Sequence, residues 1–180
     1  MNSFISDVLQ NLIDKGEDLS DLSFILPSKR AGVFLRQELS VVVNKTIFSP
    51  KIISIEEFVE NLAQLKSSTN TVLLFEFYNT YIELTPKNDQ EPFETFSKWA
   101  QILLQDFNEI DRYLIPQGHI FDYLSAIKTL DHWSLEDNKT DVVKNYLKFW
   151  DKLKHYYKHY SEALIRKKIG YQGLIYREAV

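Results

Sequence analysis

The sequence contains no cysteine. That excludes disulfides, a thiol nucleophile, an iron–sulfur cluster and any cysteine-ligated zinc site within the chain. Glycine and proline are scarce, five of each among 180 residues, and a chain so poor in turn residues is a poor candidate for an all-β fold. The glycines are Gly16, Gly32, Gly118, Gly170 and Gly173. No pair of them has the spacing, or the following lysine, of a phosphate-wrapping P-loop, and no Gly-x-Gly-x-x-Gly loop occurs. Long apolar runs are missing too, none approaching the roughly 20 residues of a membrane span. The opening MNSFISDVLQ lacks the charged-then-apolar pattern of a signal peptide. The expectation is a soluble, cytoplasmic chain with no membrane partner and no cofactor.

What is present is core material. Hydrophobic residues make up 44% of the chain, and twelve Phe, ten Tyr and three Trp make up 14%. A chain of this length can bury about 70% of the surface its unfolded form exposes. Phe4, Ile5, Val8, Leu9, Leu12 and Ile13 recur at helical spacing over 3–15. Leu22–Leu26 is short and apolar and stops at Pro27, the pattern of a buried strand. Ser28 then caps a helix over Lys29–Leu39, with Val33, Phe34 and Leu39 as its apolar positions. A second strand is expected at 51–53. Ser54 and Glu57 form a capping box that opens a helix over 55–65. Two strands joined by a helix imply parallel pairing.

From Ser67 onward the pattern changes to helices over 70–84, 93–111, 119–128 and 140–167, with breaks at 85–92, 112–118 and 130–138, and with no strand. The pair Gly170 and Gly173 reads as a helix–helix turn. The fold class is therefore α/β but predominantly helical. A small α/β core over 1–66 (strands near 22–26 and 51–53) carries a helical portion over 67–180. The helix beginning near Tyr171 reaches the end of the sequence without a cap or polar tail, which suggests the front part of a longer protein.

Three features bear on chemistry. The turn Pro27-Ser28-Lys29-Arg30-Ala31-Gly32 puts a hydroxyl and two cations where a strand ends and a helix begins. Helix amino-terminal amides with Lys and Arg make an anion site, phosphate being the usual anion; the plainer alternative is N-capping by Ser28 with both cations solvated. The acidic group Asp106, Asn108, Glu109 and Asp111 lacks the ligand order of a calcium loop, and reads as a solvated or ion-paired helix end near Arg112. His155 and His159 have helical i, i+4 spacing, but no carboxylate lies between them as a His-Glu-x-x-His site requires, so they read as surface residues.

The modest net charge of −4 is a cancellation. Residues 139–168 hold nine Lys or Arg against three Asp or Glu, a balance of +6, while the remainder carries −10. On a helix, Lys144, Lys148, Lys152, His155 and His159 form one stripe. Val143, Tyr146, Leu147, Trp150, Leu153, Tyr157 and Leu164 form an apolar face. The stripe either follows a nucleic-acid backbone or is the solvated side opposite a core face.

FILPSKRAGVFLRQEL, SPKIISIEEFV, FSKWAQILLQDFNEIDRYLI and LIRKKIGYQGLIYREAV together resemble the amino-terminal region of AddB-type subunits of bacterial helicase–nucleases. The resemblance covers nearly the whole chain and rests on patterns of residue type rather than on catalytic signatures. It implies an inactivated superfamily I helicase-like front, with a PD-(D/E)XK nuclease beyond Val180. It also implies that Leu22–Gly32 matches the strand and turn that touch single-stranded DNA, so that Ser28, Lys29 and Arg30 contact the DNA backbone; on that reading the basic stripe, through Lys144, Lys148 and Lys152, supplies field. The implied function is non-catalytic, a DNA contact and subunit scaffold in double-strand-break repair beside an AddA-type partner. Two alternatives remain: an interaction module that docks the motor subunit without touching DNA, and an ATPase with an unorthodox nucleotide site.

Overall fold

A computed structural model describes residues 3–122 and 141–180, with side chains for 3–122 and 152–180. The expected helix over 119–128 lies partly outside the described residues, and the break at 130–138 lies wholly outside them. Residues 117–122 are helical. The chain divides into two compact units, Met1–Asn61 and Leu62–Val180.

In the first unit, α1 (Phe4–Asp14) starts at Ser3, whose hydroxyl accepts from the Ser6 amide. It stops where Gly16 takes a φ of +78°, a left-handed conformation that costs glycine nothing and lets the next amide turn back onto the helix end. Strand β1 (Ser23–Leu26) leads into α2 (Lys29–Val42), and β2 (Lys51–Ser54) leads into α3 (Ile55–Ala63). The last two residues of α3 belong to the second unit. The strands pair in parallel, from Ser23 opposite Lys51 to Leu26 opposite Ser54.

Alternation along β1 turns Phe24 and Leu26 toward the helices and Ile25 away. The core is Leu9 of α1, Leu19, and Leu35 and Leu39 of α2, with Phe24, Leu26 and Ile52 against it. One expectation needs correction here. Of the apolar positions assigned to α2, only Leu39 is buried; Val33 and Phe34 are exposed, and Gly32 and Leu35 occupy the inner face instead. Residues 32, 35 and 39 keep the helical period, whereas Val33 and Phe34 fall off it.

The second unit is built on α4 (Asn70–Leu84), α5 (Phe93–Arg112), α6 (Asp141–Arg166) and α7 (Gln172–Glu178). Its core is aromatic. The Phe77 ring meets those of Phe96, Phe107, Tyr156 and Tyr160, with centroids 5.0–6.4 Å apart. The buried phenols of this core find hydrogen-bond partners, as a buried hydroxyl must. Tyr160 donates to Leu73 O, and Tyr156 and Thr85 share a bond of 2.9 Å. Leu153, Tyr157 and Leu164 of α6 are buried as the apolar face requires. Its members Val143, Tyr146, Leu147 and Trp150 lie outside the described side chains.

The expectation of no strand after Ser67 is overturned. Strand β3 (Lys66–Ser67) pairs in parallel with β4 (Ile169–Gly170). The bond Lys66 N–H to Lys168 O closes one end of the ladder, and Ser68 N–H to Gly170 O closes the other. Gly170 is thus a strand residue rather than part of a helix–helix turn. Two-residue strands carry no periodicity, so the sequence offers nothing from which to read them. The helix expected over 55–65 also ends earlier, at Ala63, because Gln64 turns left-handed at φ 55°. No helix among the described residues is long and apolar enough to cross a membrane.

Candidate functional site

Both strands of the first unit point the same way, so the two helices that follow them begin at one edge of the sheet. In open α/β sheets that edge is where ligands bind. Here it holds a cleft of about 390 Å³ whose walls include Ser28, Lys29, Gly32, Arg36, Ser54 and Glu57. The Ser28 hydroxyl accepts from the Ala31 amide at 3.2 Å, and the Ser54 hydroxyl accepts from the Glu57 amide at 3.2 Å. Two helix amino termini, each with a positive dipole end, therefore border the same space. Gly32 makes the cleft narrow. A side-chain carbon there would stand 3.1 Å from Ile52 Cγ2, so glycine allows α2 to lie close against β2.

Ser28 and Lys29 both line this cleft, and Arg30 is not among its walls. Its place is taken by Arg36, two turns along α2 on the face of Lys29 and Gly32. Arg36 lies outside the contiguous turn, and the helical spacing 29, 32, 36 is the signal in the sequence that places it on this face. Lys29 and Arg36 are both exposed, which leaves their charges available to an incoming anion. Glu57 opposes them from α3, so the three charged side chains sum to +1.

The other candidate cations lie in the second unit. Lys144, Lys148 and Lys152 are all on α6. The side chains of Lys144 and Lys148 fall outside those described, and Lys152 is partly buried. His155 and His159 are exposed, and the His159 ring approaches His155 O through Nδ1 at 2.9 Å. Among the described residues no group of three or more His, Asp or Glu is placed to hold a metal.

The acidic cluster of α5 divides in a way the sequence does not reveal. Glu109 pairs loosely with Arg112, at 3.8 Å on the surface. Asp111, expected at a solvated or locally paired helix end, is instead fully buried. Arg177 of α7 reaches it with Nε at 2.7 Å, and the hydroxyls of Tyr157 and Tyr171 both donate to it. Arg177 Nη2 also donates to the carbonyls of Ile110 and Ile115. The Gln117 carboxamide joins the cluster, accepting from Arg177 Nη1 at 2.9 Å when its oxygen faces that side. Burial, reinforced by the hydrogen bond to Asp111, pushes the Tyr157 phenol far above its ordinary range. Burial does the same to Tyr171, with the Asp111 charge adding to it. A carboxylate so fully supplied with donors ties α5, α6 and α7 together, and is poorly suited to meet a substrate.

No protein-family model matches the chain, and no curated protein matches it significantly. A functional reading therefore rests on the geometry above and on the residue patterns in the sequence.

Proposed function

We propose that the chain is a non-catalytic, helicase-like segment that contacts the backbone of single-stranded DNA and scaffolds a double-strand-break repair complex in the cytoplasm. In this reading its partner is an AddA-type motor subunit. The observation that carries the DNA contact is the cleft at the sheet edge. It combines two capped helix amino termini with Lys29 and Arg36, in a unit whose strand, turn and helix follow the DNA-contacting pattern the sequence resembles. A surplus of a single positive charge suits one phosphodiester. A nucleoside triphosphate carries several negative charges and would leave most of them unmet, which weighs against the ATPase alternative. Lys144, Lys148 and Lys152 add longer-range attraction along α6.

Fluorescence anisotropy with a labelled oligothymidine tests this reading. Binding is expected at about 50 mM salt and should weaken steeply as salt rises, because each neutralised phosphate releases counterions. The double variant Lys29→Glu, Arg36→Glu should lose at least about tenfold in affinity, as expected for close charge pairs turned repulsive. Equal binding by that variant, or no binding by the parent chain at low salt, refutes the proposal.

A further inference from the structure

The second unit carries a groove of about 910 Å³ between α4 and α5, closed at one end by the start of α7. Its chemistry differs from that of the Ser28 cleft. The walls carry five carboxamides, those of Asn70, Gln101, Gln105, Asn108 and Gln172. They also carry the carboxylates of Asp106 and Glu109, and no Lys, Arg or His. At the other end the Phe75 and Phe93 rings stack with centroids 4.7 Å apart and planes within 2°. Phe75 remains 51% exposed. Phe75 is the exposed member of the pair and Phe93 the half-buried one, so the pair offers an apolar contact at this end of the groove.

Each of these features restricts the occupant. Asn108 Oδ1 already accepts from the Gly173 amide and Gln172 Nε2 donates to the Tyr176 hydroxyl, but the carboxamides of Asn70, Gln101 and Gln105 can each donate and accept at once, which matches the alternating N–H and C=O of an extended polypeptide. Glu109 is shared with Arg112 on the surface, which leaves Asp106 as the unpaired carboxylate of the groove, repelling phosphates and attracting ammonium or guanidinium groups. Among the described residues Asp106 has no ion-pair or hydrogen-bond partner, and partial burial raises its carboxyl above the usual carboxylate value. A cation from outside would relieve that charge. The aromatic pad accepts an apolar side chain or the stem of a long basic one.

We propose that this groove docks an extended basic segment of a partner protein, a Lys or Arg set against Asp106 and an apolar side chain against the Phe75–Phe93 pair. The groove lies wholly within the second unit, and its occupancy does not depend on whether the first unit binds DNA.

The test uses the full chain and three short fluorescein-labelled peptides: Lys-Phe-Lys-Ser-Lys-Phe, its counterpart with Glu for every Lys, and its counterpart with Ser for every Phe. Anisotropy should show binding of the first, weaker binding of the third and none of the second. Asp106→Asn should weaken the first peptide about fivefold or more, the effect of losing one close charge pair. Phe75→Ala should weaken it as well, while Glu94→Gln, an acid on α5 outside the groove, should leave it unchanged. Both Asp106 and Phe75 are exposed, and circular dichroism checks that the variants keep the parent helix content. The proposal is overturned if the acidic peptide binds as well as the basic one, or if Asp106→Asn and Phe75→Ala both bind like the parent. It is overturned equally if sedimentation reveals a dimer that Asp106→Asn abolishes, since that assigns the groove to a second copy.

Discussion

Adding one methyl group at Gly173 should be among the most damaging small changes available in the second unit. A side-chain carbon built there stands 2.1 Å from Asn108 O, 2.9 Å from Arg112 N and 3.0 Å from Asn108 C. All three are backbone atoms of α5, so no flexible side chain can swing aside. Real contacts of this kind essentially never fall below 3.0 Å, and α7 would have to retreat by about 0.9 Å. That retreat stretches the bond from the Gly173 amide to Asn108 Oδ1 from 2.8 Å to about 3.7 Å, beyond hydrogen-bond geometry. It also loosens Arg177 from Asp111 and draws Leu174 and Ile175, both almost fully buried, out of their packing. Overpacking costs about 1–3 kcal/mol and an unmade buried hydrogen bond about the same again, so Gly173→Ala should lose about 3–5 kcal/mol. Urea unfolding followed by tryptophan fluorescence measures this, since Trp99 packs against Phe77 and Phe96 in the same unit. Gly118→Ala is the control. Its new carbon meets nothing nearer than Lys154 Nζ at 4.0 Å, and its place in a helical segment predicts a change between zero and a gain of about 1 kcal/mol. A loss below about 1 kcal/mol for Gly173→Ala, or equal behaviour of the two variants, would refute the close approach of α7 to α5.

Asp111→Asn keeps the shape of the buried cluster but leaves the Arg177 guanidinium, itself only 19% exposed, without its counter-charge. The expected loss is about 3–5 kcal/mol, partly recovered when Arg177→Met is added, and an unchanged urea midpoint would show that the pair is not desolvated. Alkaline pH should also destabilise the second unit. Burial raises the phenols of Tyr160 and Tyr171 in the folded chain, so both folded and unfolded forms stay protonated below about pH 10. Above that, only unfolded tyrosines ionise, and each protected phenol should steepen the fall in stability by about 1.4 kcal/mol per pH unit. Urea midpoints measured across that range check the slope, and Tyr160→Phe should flatten it.

How much of this was legible in the sequence depends on how far apart the cooperating residues lie. Ser28 and Ala31, or Ser54 and Glu57, are three positions apart. Their bonds follow from capping rules that need no knowledge of the fold, and the strands, helices and parallel pairing around them were readable for the same reason. Asp111 was misjudged because its partners are Tyr157, Tyr171 and Arg177. No local rule connects positions so distant, and the nearest cation in sequence, Arg112, drew the assignment instead. The β3–β4 pair escaped notice for a related reason. A strand of two residues has no period, and its partner lies about 100 positions away.

The same distinction separates the walls of the cleft from the contiguous turn in the sequence. Ser28, Lys29 and Arg30 attract attention as a contiguous run, yet contiguity is the wrong criterion on a helix, where successive residues point about 100° apart. Lys29 faces the sheet edge together with Gly32 and Arg36, whereas Arg30, the next residue, is not part of the wall. Gly32 matters most in this arrangement although it carries no functional group. Without its close approach to Ile52 the helix would stand farther from β2, and the cation pair on α2 would draw away from the Ser54 hydroxyl and the start of α3. The chemistry of the cleft is thus set by two cations, one opposing carboxylate and two hydroxyls, and their convergence is set by the glycine, which has no side chain.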